Sequence, residues 1–311
     1  MSDRTASPLE DRLFRVARLT ALARGLEARG VYNGAKYLRA AAAREAHLAS
    51  EPYLPDSDDA LASALESLGQ ALAGEGYGDG FATLLFSAAR ATREQAALLR
   101  EEAPPIFRCR TCGTLATGSP PATCPACGAH ALTFAEHLPI WFLEPMDPSD
   151  ALSALESGPG AVAMLVEGHD AAVLAARPRP GEWSARDVLE HLGVAEQLLA
   201  VRARRLLAED EPDLVAAAAW AETPTSDEAA PSGQQDAATL LAAYRSLREQ
   251  TLQRLRSCDA AAWARGGWHG EWGHVTLLSQ CAYFARHEAS HMAQLAAAVE
   301  GRVPGQVPPL D

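Results

Sequence analysis

Apolar residues recur at spacings of three and four along most of the chain, the period of a buried helix face. Leu13, Val16, Leu19, Leu22 and Leu26 form a first stripe, which Gly30 and Asn33-Gly34 interrupt. Tyr37, Leu38, Ala41 and Leu48 form a second. The prolines between Glu51 and Ser57 predict a loop, and Ser57 is placed to cap a third helix through Leu61, Leu65, Leu68 and Leu72. After a glycine-rich turn at 74–80, Phe81, Leu84, Leu85 and Ala88 predict a fourth helix. It is expected to continue through Leu98 and Leu99 to a stop at Pro104-Pro105. Four helices with short connections predict a bundle. Residues 106–136 lose the helical period and gain cysteine, glycine and proline. An apolar connector follows at 138–147, and helical texture returns near 150–175, 184–208, 236–257 and 276–299. The acid-rich, base-free stretch from Glu209 to Asp236 reads as a solvated loop. The predicted fold is mainly α: two four-helix bundles, 1–105 and 147–311, joined by a small metal knuckle at 106–137.

Composition narrows the function. The 311 residues carry a formal charge of −13, and Lys36 is the only lysine. That balance argues against nucleic acid and against an anionic membrane as partners, because both need a basic face. No apolar run approaches the roughly 18 residues of a membrane span. Met1-Ser-Asp-Arg-Thr opens no signal-peptide core, so a cytoplasmic protein is expected.

Four of the six cysteines fall in two tight pairs, Cys109-x-x-Cys112 and Cys124-x-x-Cys127. Two such pairs can wrap a tetrahedral metal, one edge each. Gly113 and Gly128 follow each second cysteine, where positive φ lets backbone amides point at sulfur. Iron or zinc fits such a site. The stretch resembles the rubredoxin-like module of rubrerythrins. The match runs Phe107-x-Cys109-x-x-Cys112-Gly113, then Gly118, Pro120-Pro121, Cys124-Pro125-x-Cys127-Gly128 and Phe134. In rubrerythrins a ferritin-like bundle precedes this module, as a predicted bundle does here. The first 105 residues hold one histidine, His47, and no Glu-x-x-His pair, so a di-iron site is not expected there.

His287 and His291 lie one helical turn apart, on the face that carries Phe284 and Leu295. Imidazoles aimed into an apolar core need a partner, and a divalent metal is one. The same residues spell His287-Glu288-x-x-His291, a zincin signature, but no suitable ligand follows before residue 311. The better third ligand is His191, on the face of Val188, Ala195 and Leu198, in a helix that Ser184 can cap. Three nitrogens on one side of an ion leave positions open, the catalytic pattern of a metal site.

Residues 147–300 resemble the DinB family. The residues are Arg177-Pro178-x-x-Gly181-Glu-Trp183-Ser184-Ala-Arg186-x-Val188-Leu-x-His191-Leu, Gly273-x-x-Thr276-Leu277, and His287-x-x-x-His291-x-x-Gln294. The resemblance implies that His191, His287 and His291 hold a divalent metal, and neutral imidazoles suit zinc, nickel or iron. It also implies a metal-dependent transferase that uses a low-molecular-weight thiol against a small electrophile, or a hydrolase. A homodimer through helical faces is the assembly both resemblances imply.

His269 and His274 are expected in a glycine-rich loop at the bundle mouth, as candidates to touch substrate or move protons. Trp183, Trp268 or Trp272 would wall the pocket. The competing reading is a redox protein: iron at the cysteines carries electrons or senses oxidants, and the DinB-like domain is not catalytic.

Overall fold

The computed structural model describes residues 8–50, 53–73, 79–214 and 235–303. The predicted loop at 209–236 therefore falls largely outside the described residues. Contacts divide the chain into two compact units, 1–96 and 97–311.

The first unit is two helical hairpins. α1 (Pro8–Glu27) packs on α2 (Tyr32–Ser50), and α3 (Asp58–Leu72) packs on α4 (Asp79–Arg93). Its buried contacts are made by Ala23, Ala35, Ala42, Ala62, Gly69, Ala82 and Ala89. The stripe expected on α1 is rotated: Leu13 and Leu22 are about half exposed while Ala23 is fully buried. Small side chains let the helix axes approach, so the closest face is the alanine face rather than the leucine face. Arg39–Glu27, Arg15–Glu45 and Arg93–Glu66 ion pairs edge the two hairpins. Ser57 caps α3 as expected, accepting from the Ala60 amide.

α4 ends at Arg93, short of the predicted stop at the prolines. Gln95 turns to φ +48°, the Ala96 amide reaches back to Ala91 O, and the Gln95 amide reaches Thr92 O. This is a Schellman ending with glutamine where glycine is usual.

The second unit opens with three short antiparallel strands, β1 (Ile106–Cys109), β2 (Leu115–Thr117) and β3 (Phe134–His137), in the order β2-β1-β3. Cys109 pairs with Phe134 across the sheet. A 3-10 turn at Trp141–Leu143 then leads into α5 (Pro148–Val166). The single helix expected at 150–175 is broken. Glu167 is extended, Gly168 turns at φ +88°, and a short α6 (Ala171–Ala175) follows. α7 (Ala185–Ala208), α8 (Ala237–Leu255) and α10 (Leu277–Val299) complete a four-helix bundle with α5.

Around that bundle α5 packs on α8 and α10, and α7 packs on the same two. The first two helices in sequence therefore stand diagonally, and so do the last two. The crossings run through α6 and, after α8, through α9 (Ala260–Trp263) and a β-hairpin, β4 (Gly266–His269) with β5 (Gly273–Thr276). That hairpin occupies the place predicted as a loop. Its register pairs Trp268 with His274, and Gly273 turns at φ +79°. Glycines at 266 and 267 hid the strand, since they break its side-chain alternation. A Cβ on Gly266 would overlap the His274 ring, so that ring would have to move.

The core has two parts. Leu155, Leu199, Leu206, Leu255, Leu277 and Phe284 fill one end of the bundle; Val162, Val188, Leu189, Leu192, Tyr244 and Leu295 fill the other. Among the described residues no helix is long and apolar enough to cross a membrane.

Candidate metal centres

Two groups of metal-ligating side chains gather among the described residues: Cys109, Cys112, Cys124 and Cys127, and His191, His287 and His291. In each group all ligand atoms lie within 4.8 Å of one another.

The cysteine site is built by two similar loops. The Gly113 amide returns to Cys109 O and the Gly128 amide to Cys124 O, both at 2.9 Å. Gly113 and Gly128 adopt φ +88° and +74°, the conformation their sequence position predicts. The Cys112 amide faces Cys109 sulfur and pulls that thiol down; burial opposes it, the Thr111 amide adds to it, and the net is about 6. Cys109 Sγ lies 3.8 Å from Cys127 Sγ, and Cys112 Sγ lies 3.6 Å from Cys124 Sγ. Sulfurs about 2.3 Å from one tetrahedral ion stand about 3.8 Å apart. The four thiols thus fit a single ion. Cys109 and Cys124 are buried, while Cys112 and Cys127 reach the surface.

The histidine site depends on the bundle. Gly181 turns at φ +85° ahead of α7, and Ser184 and Asp187 close a reciprocal capping box at its start. Arg177 holds Asp187 at 3.2 Å. This fixes the phase at which α7 leaves the loop, and so the direction of His191. Thr276 and Ser279 form a second capping box that starts α10. From α10, His287 Nε2 approaches His191 Nε2 and His291 Nε2, each at 3.1 Å. His287 Nε2 has one hydrogen or one lone pair, so a hydrogen bond can satisfy only one of these contacts. Nitrogens about 2.0–2.1 Å from a shared ion stand about 2.9–3.4 Å apart at ordinary coordination angles. The three rings fit a divalent ion better than they fit each other.

Their charge state agrees. Burial, with the charge of His291 adding to it, pulls His191 down to about 4. Burial and both partner rings pull His287 down to about 3. Burial also lowers His291, against the pull of its Gln294 contact. All three imidazoles are therefore neutral near pH 7, with nitrogens able to bind metal. His291 Nδ1 meets Gln294 Oε1 at 2.7 Å, which places a hydrogen on Nδ1 and the lone pair on Nε2.

Aromatic rings enclose the site. Trp183 stacks on His291 at 6.2 Å and leans on His191 at 5.0 Å. Phe142 stands edge-on to His287, and Tyr283 lies parallel to it, both at 5.9 Å. Phe142 comes from the connector after the cysteine module, which Arg286 holds by hydrogen bonds to the carbonyls of Phe142, Glu144 and Pro145.

Glu288, the acid of the zincin-like motif, faces away from this site. It binds Arg248 at 2.6 Å and accepts a hydrogen bond from Tyr244. Arg248 also binds Glu196 at 2.6 Å and Leu155 O at 2.8 Å, and Thr251 donates to Glu196. Gly158 leaves the space: a Cβ there would overlap Glu288 Oε1. Sequence reasoning missed this buried ion network. Its members are spread over α7, α8 and α10 with no local spacing.

His269 and His274 do not belong to that group. His269 is buried, and Arg202 donates to its Nε2 at 3.1 Å. His274 is exposed beside Glu211. Trp272 stacks on His269 at 4.0 Å, and Trp268 is half exposed under Arg100, so of the three tryptophans only Trp183 touches the triad. His130, His137 and His169 are exposed.

Two stretches of the chain match known family models. Residues 154–295 match the model of the DinB superfamily. Residues 107–135 match that of the rubrerythrin rubredoxin-like domain. No curated protein sequence matches the chain. Among solved structures, YfiT from Bacillus subtilis, described as "a probable metal-dependent hydrolase with an unusual four-helix bundle topology", is 24% identical with a TM-score of 0.41. The match covers 50% of this chain and 90% of that one.

Proposed function

We propose that the DinB-like bundle is a divalent-metal enzyme that activates a low-molecular-weight thiol, or water, for attack on a small electrophile. The observation that carries this reading is the convergence of three neutral Nε2 atoms from two facing helices, with no carboxylate in the group among the described residues. Zinc, nickel or iron(II) suits three imidazoles. When bound, such an ion supplies a Lewis acid that lowers the pKa of a thiol or water beside it.

The chain's own residues do the rest. His191, His287 and His291 present lone pairs from one side and leave the opposite side for substrate. Gln294 fixes the His291 ring. Trp183, Phe142 and Tyr283 give the site apolar walls that exclude bulk water and accept a hydrophobic or planar substrate. Burial keeps the imidazoles neutral, so protons do not compete for the nitrogens near pH 7.

Metal analysis of the wild type and of His287→Ala tests the reading. The wild type should hold one equivalent more than the variant. A variant with undiminished metal would defeat it. Thiol conjugation and hydrolysis, assayed on metal-reconstituted protein, then separate the two reactions.

A second reading rests on the cysteine site, where Cys112 and Cys127 reach the surface. If iron fills it, the module is an electron carrier, and the protein is red and bleaches on reduction. Colourless protein with stoichiometric zinc makes the module a structural clamp.

A further inference from the structure

Two arginines are buried in the bundle, and the chain treats them differently. Arg248 meets two carboxylates and a carbonyl. Arg202 is 2% exposed and meets no acid among the described residues. Its neighbours are Gln280 Oε1 at 3.0 Å, His269 Nε2 at 3.1 Å, and the rings of Trp272 and Phe284, each at 5.9 Å. Glu271, on the turn after His269, makes no ion pair with it. Burial pulls the guanidinium down to about 10, a sign of a cation short of compensation.

The same cluster is rich in donors and poor in acceptors. Arg202 Nε and Gln280 Nε2 are buried without a hydrogen-bond partner. Gln280 is fully buried, and exchanging its amide oxygen and nitrogen would only set an NH2 group against the guanidinium. A neutral imidazole has one acceptor nitrogen, yet donors approach both nitrogens of His269: Arg202 at Nε2, and the Glu271 and Trp272 amides at Nδ1. A buried positive charge surrounded by surplus N–H groups calls for an anionic oxygen.

The cluster lies on the helix faces that carry the triad. Gln280 precedes His287 on α10 by two turns, a rise of about 10 Å. Tyr283 lies between them, parallel to the His287 ring and within the field of Arg202.

We propose that Arg202 and Gln280 form a subsite for a small carboxylate. Guanidinium and amide N–H groups would donate to its two oxygens, and Trp272 and Phe284 would flank it. Its role as the carboxylate end of a substrate rests on the reading of the triad given above. That reading then specifies an electrophile bearing a carboxylate, held about two helical turns from the histidines. Anion binding itself does not depend on metal.

The test is thermal unfolding of the full chain at constant ionic strength, with sodium formate replacing sodium chloride. Formate should raise the wild-type Tm saturably, by roughly 2–4 °C at ten times its Kd. The rise should vanish in Arg202→Met and in Gln280→Leu; if Arg202→Met does not fold, Gln280→Leu decides. A wild-type Tm that ignores formate, or the same saturable rise in the folded variants, overturns the proposal. His287→Ala separates the two claims: it should keep the formate response whether or not it loses a metal equivalent.

Discussion

The two candidate metal centres draw on different levels of structure. The cysteine ligands lie within nineteen positions, 109–127, and two tight turns place them. The histidine ligands span 191–291, and their meeting requires two helices packed in register. Within residues 106–137 only Cys109 and Cys124 are buried, so the first site is expected to depend on an ion for its shape. The second sits within a core that Leu192, Phe284 and Leu295 hold without it. A self-contained knuckle uses metal to fold; a bundle can present metal to a substrate. The difference predicts opposite answers to the loss of one ligand.

The largest effect should follow Cys112→Ser. Structural zinc in comparable small modules contributes about 10–16 kcal/mol of apparent binding free energy, which is folding free energy there. The variant should lose one metal equivalent, and limited proteolysis should cut within residues 106–137. Unchanged metal content and protease resistance would make the two sites alike and erase the contrast.

His287→Ala should instead lose its metal and keep its fold. The imidazole is neutral before substitution, so no buried charge is left unpaired, and the cavity costs about 2–4 kcal/mol. The cysteine metal should remain. Circular dichroism and metal analysis on one sample check both halves.

Gly158→Ala probes the scaffold of the second site. The new methyl must displace the Glu288 carboxylate, which shares Arg248 with Glu196. Breaking a buried ion pair costs about 3–5 kcal/mol, and His287 is the next residue along α10. A lower Tm with weaker metal retention at the histidines is expected, with the cysteine metal unaffected. A Tm within a degree of wild type would show that Glu288 has another stable position.

How far each site was legible follows from the same contrast. Cysteine spacing and the glycines after it are local, and the turns they predict are those observed. The inward phase of His191, His287 and His291 was legible too, because helical periodicity survives without tertiary detail. What stayed hidden needs partners distant in sequence. Glu288 resembles a catalytic acid until Arg248 and Tyr244 are seen beside it. Arg202 resembles an ordinary helix-surface arginine, since Arg204 and Arg205 stand next to it. The α4 ending was missed because glutamine, not glycine, takes the left-handed turn. The leucine stripe of α1 misled because alanine sets the closest helix approach.

The smallest effect concerns acid. His191 and His287 titrate at about 4 and about 3 in the folded chain, and near 6.5 when unfolded. Below pH 6.5 the unfolded chain therefore binds protons that the folded bundle refuses. The stability linked to these groups is complete above about 6.5 and is lost as pH falls toward 4 and then 3. For metal-stripped protein, Tm should decline over that window, and His287→Ala should decline less steeply because one such group is gone. Added zinc should hold the wild-type Tm up to lower pH, since it binds only neutral rings. Parallel slopes for wild type and variant would mean that His287 is not shielded from water as its surroundings of Phe142, Tyr283 and Phe284 require.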